Sequence, residues 1–390
     1  MTDKPAVWRD LAPISAIVFL EFLAMGLPLA VLPGHVHRAL GFGSFVVGLA
    51  IGAQSWATLL SRHAAGTRSD RSGPRRATRL GLLLSALAGV TYAGSGALAS
   101  PSTSLVVLLL GRAVLGIGES LVVTGGLAWG VALAGRERSG LVMSWVGVAM
   151  YGALAAGAPV GAQLASRFGF TAMCAAAALA PLLAMLPLGS ARSVEPAGGI
   201  RLPFYRVVGL IAAPGAGLML SAVSFGAIAA FSSLYFAERS WSHPSLAMSA
   251  FGVAYVLARL FLGGLPDRFG GARVATLSTA VAALGQAGLW LASSGTTAIA
   301  AAAFTGLGFS LAFPAFGVEA IRRVPPQNRG VALGAFAACF DLSMGIGVPL
   351  LGLLAARRGY AAAFEAGGVA ALVALVVAVV LSLNRERSGA

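Results

Sequence analysis

Charged residues are scarce in this 390-residue chain: Asp, Glu, Lys and Arg together make up 10%. A water-soluble domain carries roughly a quarter. With 58% hydrophobic residues and a mean hydropathy of +0.86, the chain has too little polar surface to face water. Lipid must be the solvent for most of it. Cysteine is nearly absent; Cys174 and Cys339 stand alone, each inside an apolar run. That argues against a disulfide framework or a thiolate metal centre, and both read as small packing residues. Only 4 histidines occur. His35 and His37 form an H-x-H with no acid or cysteine nearby, which reads as a polar loop and not as a metal site. The chain also lacks a Gly-rich phosphate loop, a zinc motif and a Ser/His/Asp arrangement. Neither an enzyme nor a bound cofactor or metal is expected, so any driving energy must come from an ion or solute gradient.

Acidic residues are the rarer charge, 13 against 27 basic, giving a net charge of +14. A surplus of this size sometimes marks nucleic-acid binding. Here the arginines sit in short links between apolar runs and not on one basic domain, so nucleic acid is excluded as a partner. The links separate segments long enough to cross a bilayer, which takes about 20 residues each. Twelve spans are predicted, at 12–33, 44–62, 78–99, 104–133, 140–164, 169–189, 207–234, 245–263, 274–293, 297–321, 330–355 and 361–383. The first of them contains Glu21 and is too long for the core of a cleaved signal peptide. With the N-terminus inside, 20 basic residues fall on the cytoplasmic side and 5 on the outer side, and Arg112 and Arg259 lie within spans. The asymmetry predicts a multi-pass protein of the bacterial cytoplasmic membrane with both termini inside.

The chain repeats itself. RHAAGTRSDRSGPRR at 62–76 returns 197 residues later as RLFLGGLPDRFGGAR. Arg62, Gly66, Asp70, Arg71, Gly73 and Arg76 correspond to Arg259, Gly263, Asp267, Arg268, Gly270 and Arg273. A second repeat, offset by 190, pairs Gly157, Pro159, Arg167 and Gly169 with Gly347, Pro349, Arg357 and Gly359. A fainter one pairs Gly116, Gly118 and Ser120 with Gly306, Gly308 and Ser310. Such duplication marks membrane carriers whose two bundles rock about a central site. The predicted organisation is an N-terminal six-helix bundle at 1–190, a Pro- and Gly-containing cytoplasmic linker at 191–206, and a C-terminal six-helix bundle at 207–390. The repeated charged turn is expected to act as a conformational latch; its plainer reading is a loop that only sets topology. Gly157, Pro159 and Gly161, with Gly347 and Pro349, are expected to form flat helix faces that allow close packing.

These motifs carry a family resemblance. The chain resembles the major facilitator superfamily over nearly its whole length. The turns at 66–76 and 263–273 match that family's loop signature, and LLGRAVLGIG at 109–118 resembles its arginine-glycine motif. Residues 147–161 resemble the glycine-proline motif of its proton-coupled efflux branch, with Gly-Ala-Pro at 157–159 in place of Gly-Pro. GLPLAVLPGHVH at 26–37, GESLVVTGGLAWG at 118–130 and RRVPPQNRG at 322–330 look like bacterial arabinose-efflux-like permeases. The resemblance implies an all-α fold of twelve transmembrane helices in two pseudo-symmetric bundles, acting by alternating access. It also places segments one and four beside each other at a central cavity.

Ionisable groups inside spans are costly, about 2.5–3.5 kcal/mol each on insertion scales, and usually face a cavity or a partner. Glu21, Arg112, Glu119 and Asp341 are therefore the candidates for proton coupling and the substrate cavity. Arg112 and Glu119 are nearly two helical turns apart and too distant to pair directly. Glu21 is the expected partner of Arg112. Arg259 and Glu319 lie nearer the span ends and read as snorkelling, structural charges, with Arg259 expected to pair with Asp267. Trp129, Trp145, Tyr151, Phe225, Tyr235 and Phe340 are candidate aromatic lining, and Pro28, Pro214 and Pro314 candidate bending points. The expected function is proton-coupled export of a small organic molecule by a monomer embedded in the lipid bilayer. Its rivals are a proton-coupled uptake symporter and, in another class, a non-transporting membrane receptor or scaffold.

Overall fold

The computed structural model describes residues 4–135, 139–192, 194, 204–324 and 329–388. Most of the predicted linker, the loop residues Arg136, Arg138 and Arg201, the centre of RRVPPQNRG and the side chain of Asp267 lie outside the described residues.

All regular structure among the described residues is helical. The first half of the chain forms α1 (Lys4–Leu29), α2 (Ser44–Ser72), α3 (Pro74–Gly96), α4 (Pro101–Ala134), α5 (Ser139–Leu183) and the short α6 (Met185–Ser190). The second half forms α7 (Phe204–Glu238), α8 (Ser245–Leu262), the short α9 (Leu265–Phe269), α10 (Gly271–Trp290), α11 (Gly295–Arg322), α12 (Arg329–Leu342), α13 (Val348–Arg358) and α14 (Ala361–Ser388). Each of the twelve predicted segments falls on helix. Nine helical runs among the described residues are long and apolar enough to cross a membrane. One of them, the run Leu141–Ser190 formed by α5 and α6, covers segments five and six, joined through Gly169 with φ 85°. Helices α3 and α10 complete the set; they are less apolar because each begins in a charged turn.

Local sequence explains where helices begin. Ser100 accepts from the Thr103 amide ahead of Pro101, and Ser294 forms a reciprocal capping box with Thr297. In the two charged turns, Gly73 (φ 87°, ψ 147°) and Gly270 (φ 88°, ψ 144°) take the same left-handed conformation just before α3 and α10. A side chain there is strained, which accounts for glycine in both copies. The copies differ upstream. Helix α2 runs unbroken to Ser72, whereas α8 stops at Leu262 and Pro266 sits in the first turn of the separate α9.

The described chain forms two compact units. One comprises Met1–Phe42 and Ala53–Gly199, the other Gly43–Gly52 and Ile200–Ala390. The start of α2 thus clusters with the second unit. In the first unit α1 packs on α5 and α4, and α3 packs on α4. The α1–α5 crossing is close because a Cβ on Gly161 would overlap the Leu27 carbonyl oxygen, and one on Gly157 would press on Gly26. Backbone meets backbone, as expected where dispersion and not hydrophobic burial drives helix association. In the second unit α10 and α8 pack on α11, and α14 packs on α10 and α7. Leu218, Leu311, Phe316 and Phe336 lie in its buried core. Here the repeated Gly-Pro region departs from its first copy: a π-helical turn at Ser343–Gly347 separates α12 from α13, whereas α5 stays α-helical through Gly157, Pro159 and Gly161.

Candidate functional site: a polar crevice in the first unit

Small residues on α4 draw three helices together. A Cβ on Gly116 would overlap the Gln54 carbonyl of α2, and one on Gly118 would lie 2.8 Å from the Gly81 carbonyl of α3. This closeness sets polar side chains from α1, α2, α3 and α4 against one another. Glu21, Phe22, Met25, Gln54, Leu115 and Glu119 line one narrow crevice, too tight for a water molecule.

Glu21 is 1% exposed, and Ser85 of α3 donates to its Oε1 at 2.5 Å. Its Oε2 has no hydrogen-bond partner among the described residues. Glu119 is only partly buried. Gln54 Nε2 donates to Glu119 Oε2 at 2.6 Å, and Thr58 Oγ1 lies 3.3 Å from the same oxygen. The single Thr58 proton has two further acceptors, the Gln54 carbonyl at 3.1 Å and the Gly116 carbonyl at 3.0 Å. Gln54, also 1% exposed, approaches Met25 Sδ at 3.3 Å, and its Oε1 is buried without a partner among the described residues. The Glu119 charge acts on Glu21, and Arg62 and Arg112 are the cations that act on Glu119.

The sequence candidates separate accordingly. Glu21 and Glu119 come together. Arg112, 1% exposed, sits beside Tyr92 of α3, and the expected pairing with Glu21 is taken instead by Ser85. Asp341 is buried in the second unit, near Cys339. Arg259 does not snorkel; it is 6% exposed, donates to the Ser310 carbonyl at 3.1 Å and stacks over Tyr255. Glu319 has a defined structural role: Ala272 N donates to its Oε1 at 3.2 Å, so a carboxylate meets the N-terminus of α10, with Arg323 at 3.3 Å. Trp129 donates to the Arg192 carbonyl at 2.7 Å, and Arg75 of the first charged turn donates to that of Gly189 at 3.0 Å.

Gln54, Thr58 and Ser85 are the functional candidates that charge alone does not reveal. Gln54 had a signal, since a buried amide within a span is also costly. Ser85 had none, because serine recurs throughout the apolar runs.

The second unit repeats the frame with different side chains. A Cβ on Gly306 would overlap the Phe251 carbonyl, and one on Gly308 would crowd Ser278 and Ala282. By the offsets of 197 and 190, Gln54, Thr58 and Glu119 correspond to Phe251, Tyr255 and Phe309. With Phe225 and Phe340 these form an aromatic cluster with ring centroids 5.4–6.5 Å apart.

Comparison with known proteins agrees with this architecture. The pattern of the Major Facilitator Superfamily matches residues 14–242 and 215–390. An uncharacterised MFS-type transporter of Salmonella typhimurium is 43% identical over 366 residues, 93% of this chain and 94% of the relative. One from Pseudomonas aeruginosa is 42% identical over 384 residues, 98% and 96% of the two chains. Among solved structures, a D-xylose-proton symporter superposes with a TM-score of 0.75 at 16% identity, covering 95% of this chain and 97% of its own. The human organic anion transporter MFSD10 gives 0.71 at 16% identity, covering 96% and 100%. At that identity the structures establish the fold alone. The helical architecture, the family pattern and the full-length relatives place this chain in the major facilitator superfamily, as a membrane transporter.

Proposed function

We propose that the protein exports a small organic molecule in exchange for protons, by alternating access, in a bacterial cytoplasmic membrane with both termini inside. The observation that carries the reading is Glu21. It is a carboxylate buried in a span, with one serine as hydrogen-bond donor and no cation at ion-pair distance among the described residues. A lone charge there is costly, and a proton relieves the cost. Glu119 adds a second carboxylate that is partly accessible. Arg62 and Arg112 supply the opposing field. Proton and substrate then compete for one charge network, so that binding of one favours release of the other. Asp341 is a second protonation site in this reading, and the two charged turns serve as latches.

Direction is tested by flux. A ligand is first found by thermal-shift screening, since binding stabilises the native state by RT ln(1 + [L]/Kd). In inside-out vesicles with an acid interior, an exporter exchanging protons accumulates that compound. A proton-coupled uptake carrier drives it out, and a receptor or scaffold moves none.

A further inference from the structure

Around the crevice, two buried acceptor atoms face no donor. One is Glu21 Oε2 and the other Gln54 Oε1, on side chains that are each 1% exposed. A buried acceptor without a donor is costly, so its place normally holds a proton-bearing partner. The residues around it offer few. Met25, Phe22 and Leu115 have no polar hydrogen on their side chains. Ser85 already donates to Glu21 Oε1, and Gln54 Nε2 to Glu119 Oε2. A proton on one of the two carboxyl groups would supply such a donor.

An amide is suited to such a position because its two ends have opposite character. Facing an ionised carboxylate, it donates through nitrogen. Facing a carboxylic acid, it accepts through oxygen. We propose that Gln54 is the positioning residue that registers where the proton sits in the Glu21–Glu119 pair: its nitrogen holds the ionised member while its oxygen accepts from the protonated one. This rests on the proton-coupled reading above and adds the residue through which the two carboxyls sense each other. The opposite arrangement, with the proton on Glu119 and Glu21 ionised, requires the amide to turn over. Thr58 fits this scheme, since its proton can move between two backbone carbonyls and Glu119 Oε2. The other charges acting on Glu119 are the guanidinium groups of Arg62 and Arg112. Removing Gln54 is therefore expected to disconnect the carboxyls without emptying them.

Infrared difference spectroscopy of the full chain in lipid nanodiscs, stepped between acidic and alkaline pH, reads the carbonyl stretch of protonated carboxyl groups directly. The wild type should show a band that is lost or strongly altered in both E21Q and E119Q. In Q54M, which keeps length and removes both amide functions, the band should persist and move to higher frequency, because the acid loses its acceptor. Q54L is the second variant should Q54M fail to fold, with folding checked by circular dichroism. A band unmoved in a folded Gln54 variant overturns the role of Gln54 while leaving the carboxyl pair intact. A wild-type spectrum with no band dependent on Glu21 or Glu119 overturns the proton-coupled reading of this crevice itself.

Discussion

Phe309 stands in the second unit where Glu119 stands in the first. Three residues ahead of each, a glycine meets a backbone carbonyl: Gly116 that of Gln54, and Gly306 that of Phe251. The helix crossing is shared, and the chemistry at its centre is reversed. Carboxylates, amide and hydroxyl fill one copy, and phenyl rings fill the other. At this level the first unit presents carboxylates and the second presents phenyl rings, and a set of variants follows from that division.

Replacing both carboxylates tests coupling. Glutamine preserves shape and removes titration, so E21Q/E119Q should insert and fold, bind the screened ligand, and lose its gradient-driven accumulation in vesicles. Transport with unaltered pH dependence would transfer the coupling role to Asp341. Arg112→Ala removes a cation that acts on Glu119 and a buried neighbour of Tyr92, and a lower midpoint in thermal denaturation is expected.

The aromatic copy should respond differently. Phe309→Ala removes a ring that is 1% exposed and contacts several others. A loss of about 3–5 kcal/mol is expected, visible as a lower midpoint in thermal denaturation in detergent.

Backbone geometry gives a sharper pair. Gly73→Ala and Gly270→Ala each place a side chain at φ near 87–88°. About 1–3 kcal/mol of strain is expected from each. Being far apart in sequence and in separate units, the two costs should add. A double mutant no less stable than the single ones would show that the turns relax.

Membrane orientation is checked by labelling. After Cys174 and Cys339 are replaced by alanine, a cysteine at the exposed Arg71 should react with an impermeant reagent only from the cytoplasmic side. One at the exposed Ser242 should react only from outside. Ser69, though close to Arg71, is 3% exposed and unsuited as a reporter.

The latch is tested by Asp70→Asn, which removes a charge and keeps the shape. A shift of the resting population toward the inward-open form is expected in spectroscopic distance measurements, with slower transport and normal insertion. Unchanged accessibility would leave the turn a topology signal alone.

Much of this was legible in the sequence. Hydropathy and arginine placement located the spans, and the duplicated Asp-Arg turn located two equivalent helix junctions. Gly73 and Gly270 adopt one conformation because the same tight reversal is built twice. Side-chain pairing was far less legible. Charge alone pointed Arg112 toward Glu21, yet a serine on a third helix takes that place, and serine in an apolar run gives no pattern to read. Arg259 lies close enough to a span end to suggest snorkelling, and the Ser310 carbonyl and the Tyr255 ring explain its burial. The π turn at Ser343–Gly347 is a further limit. Its extra residue per turn swings Asp341 away from the bearing that an ideal helix would give it relative to Pro349.

Where glycine meets a carbonyl, the spacing of two helices is set by atoms that every amino acid shares. The Gly116 and Gly306 crossings therefore hold their geometry whatever stands at the next polar position. A carboxylate can give way to a phenyl ring without moving the frame around it. In such a chain, altered substrate chemistry should arise through single side-chain exchanges beside the crossings, while the glycines themselves tolerate almost nothing larger.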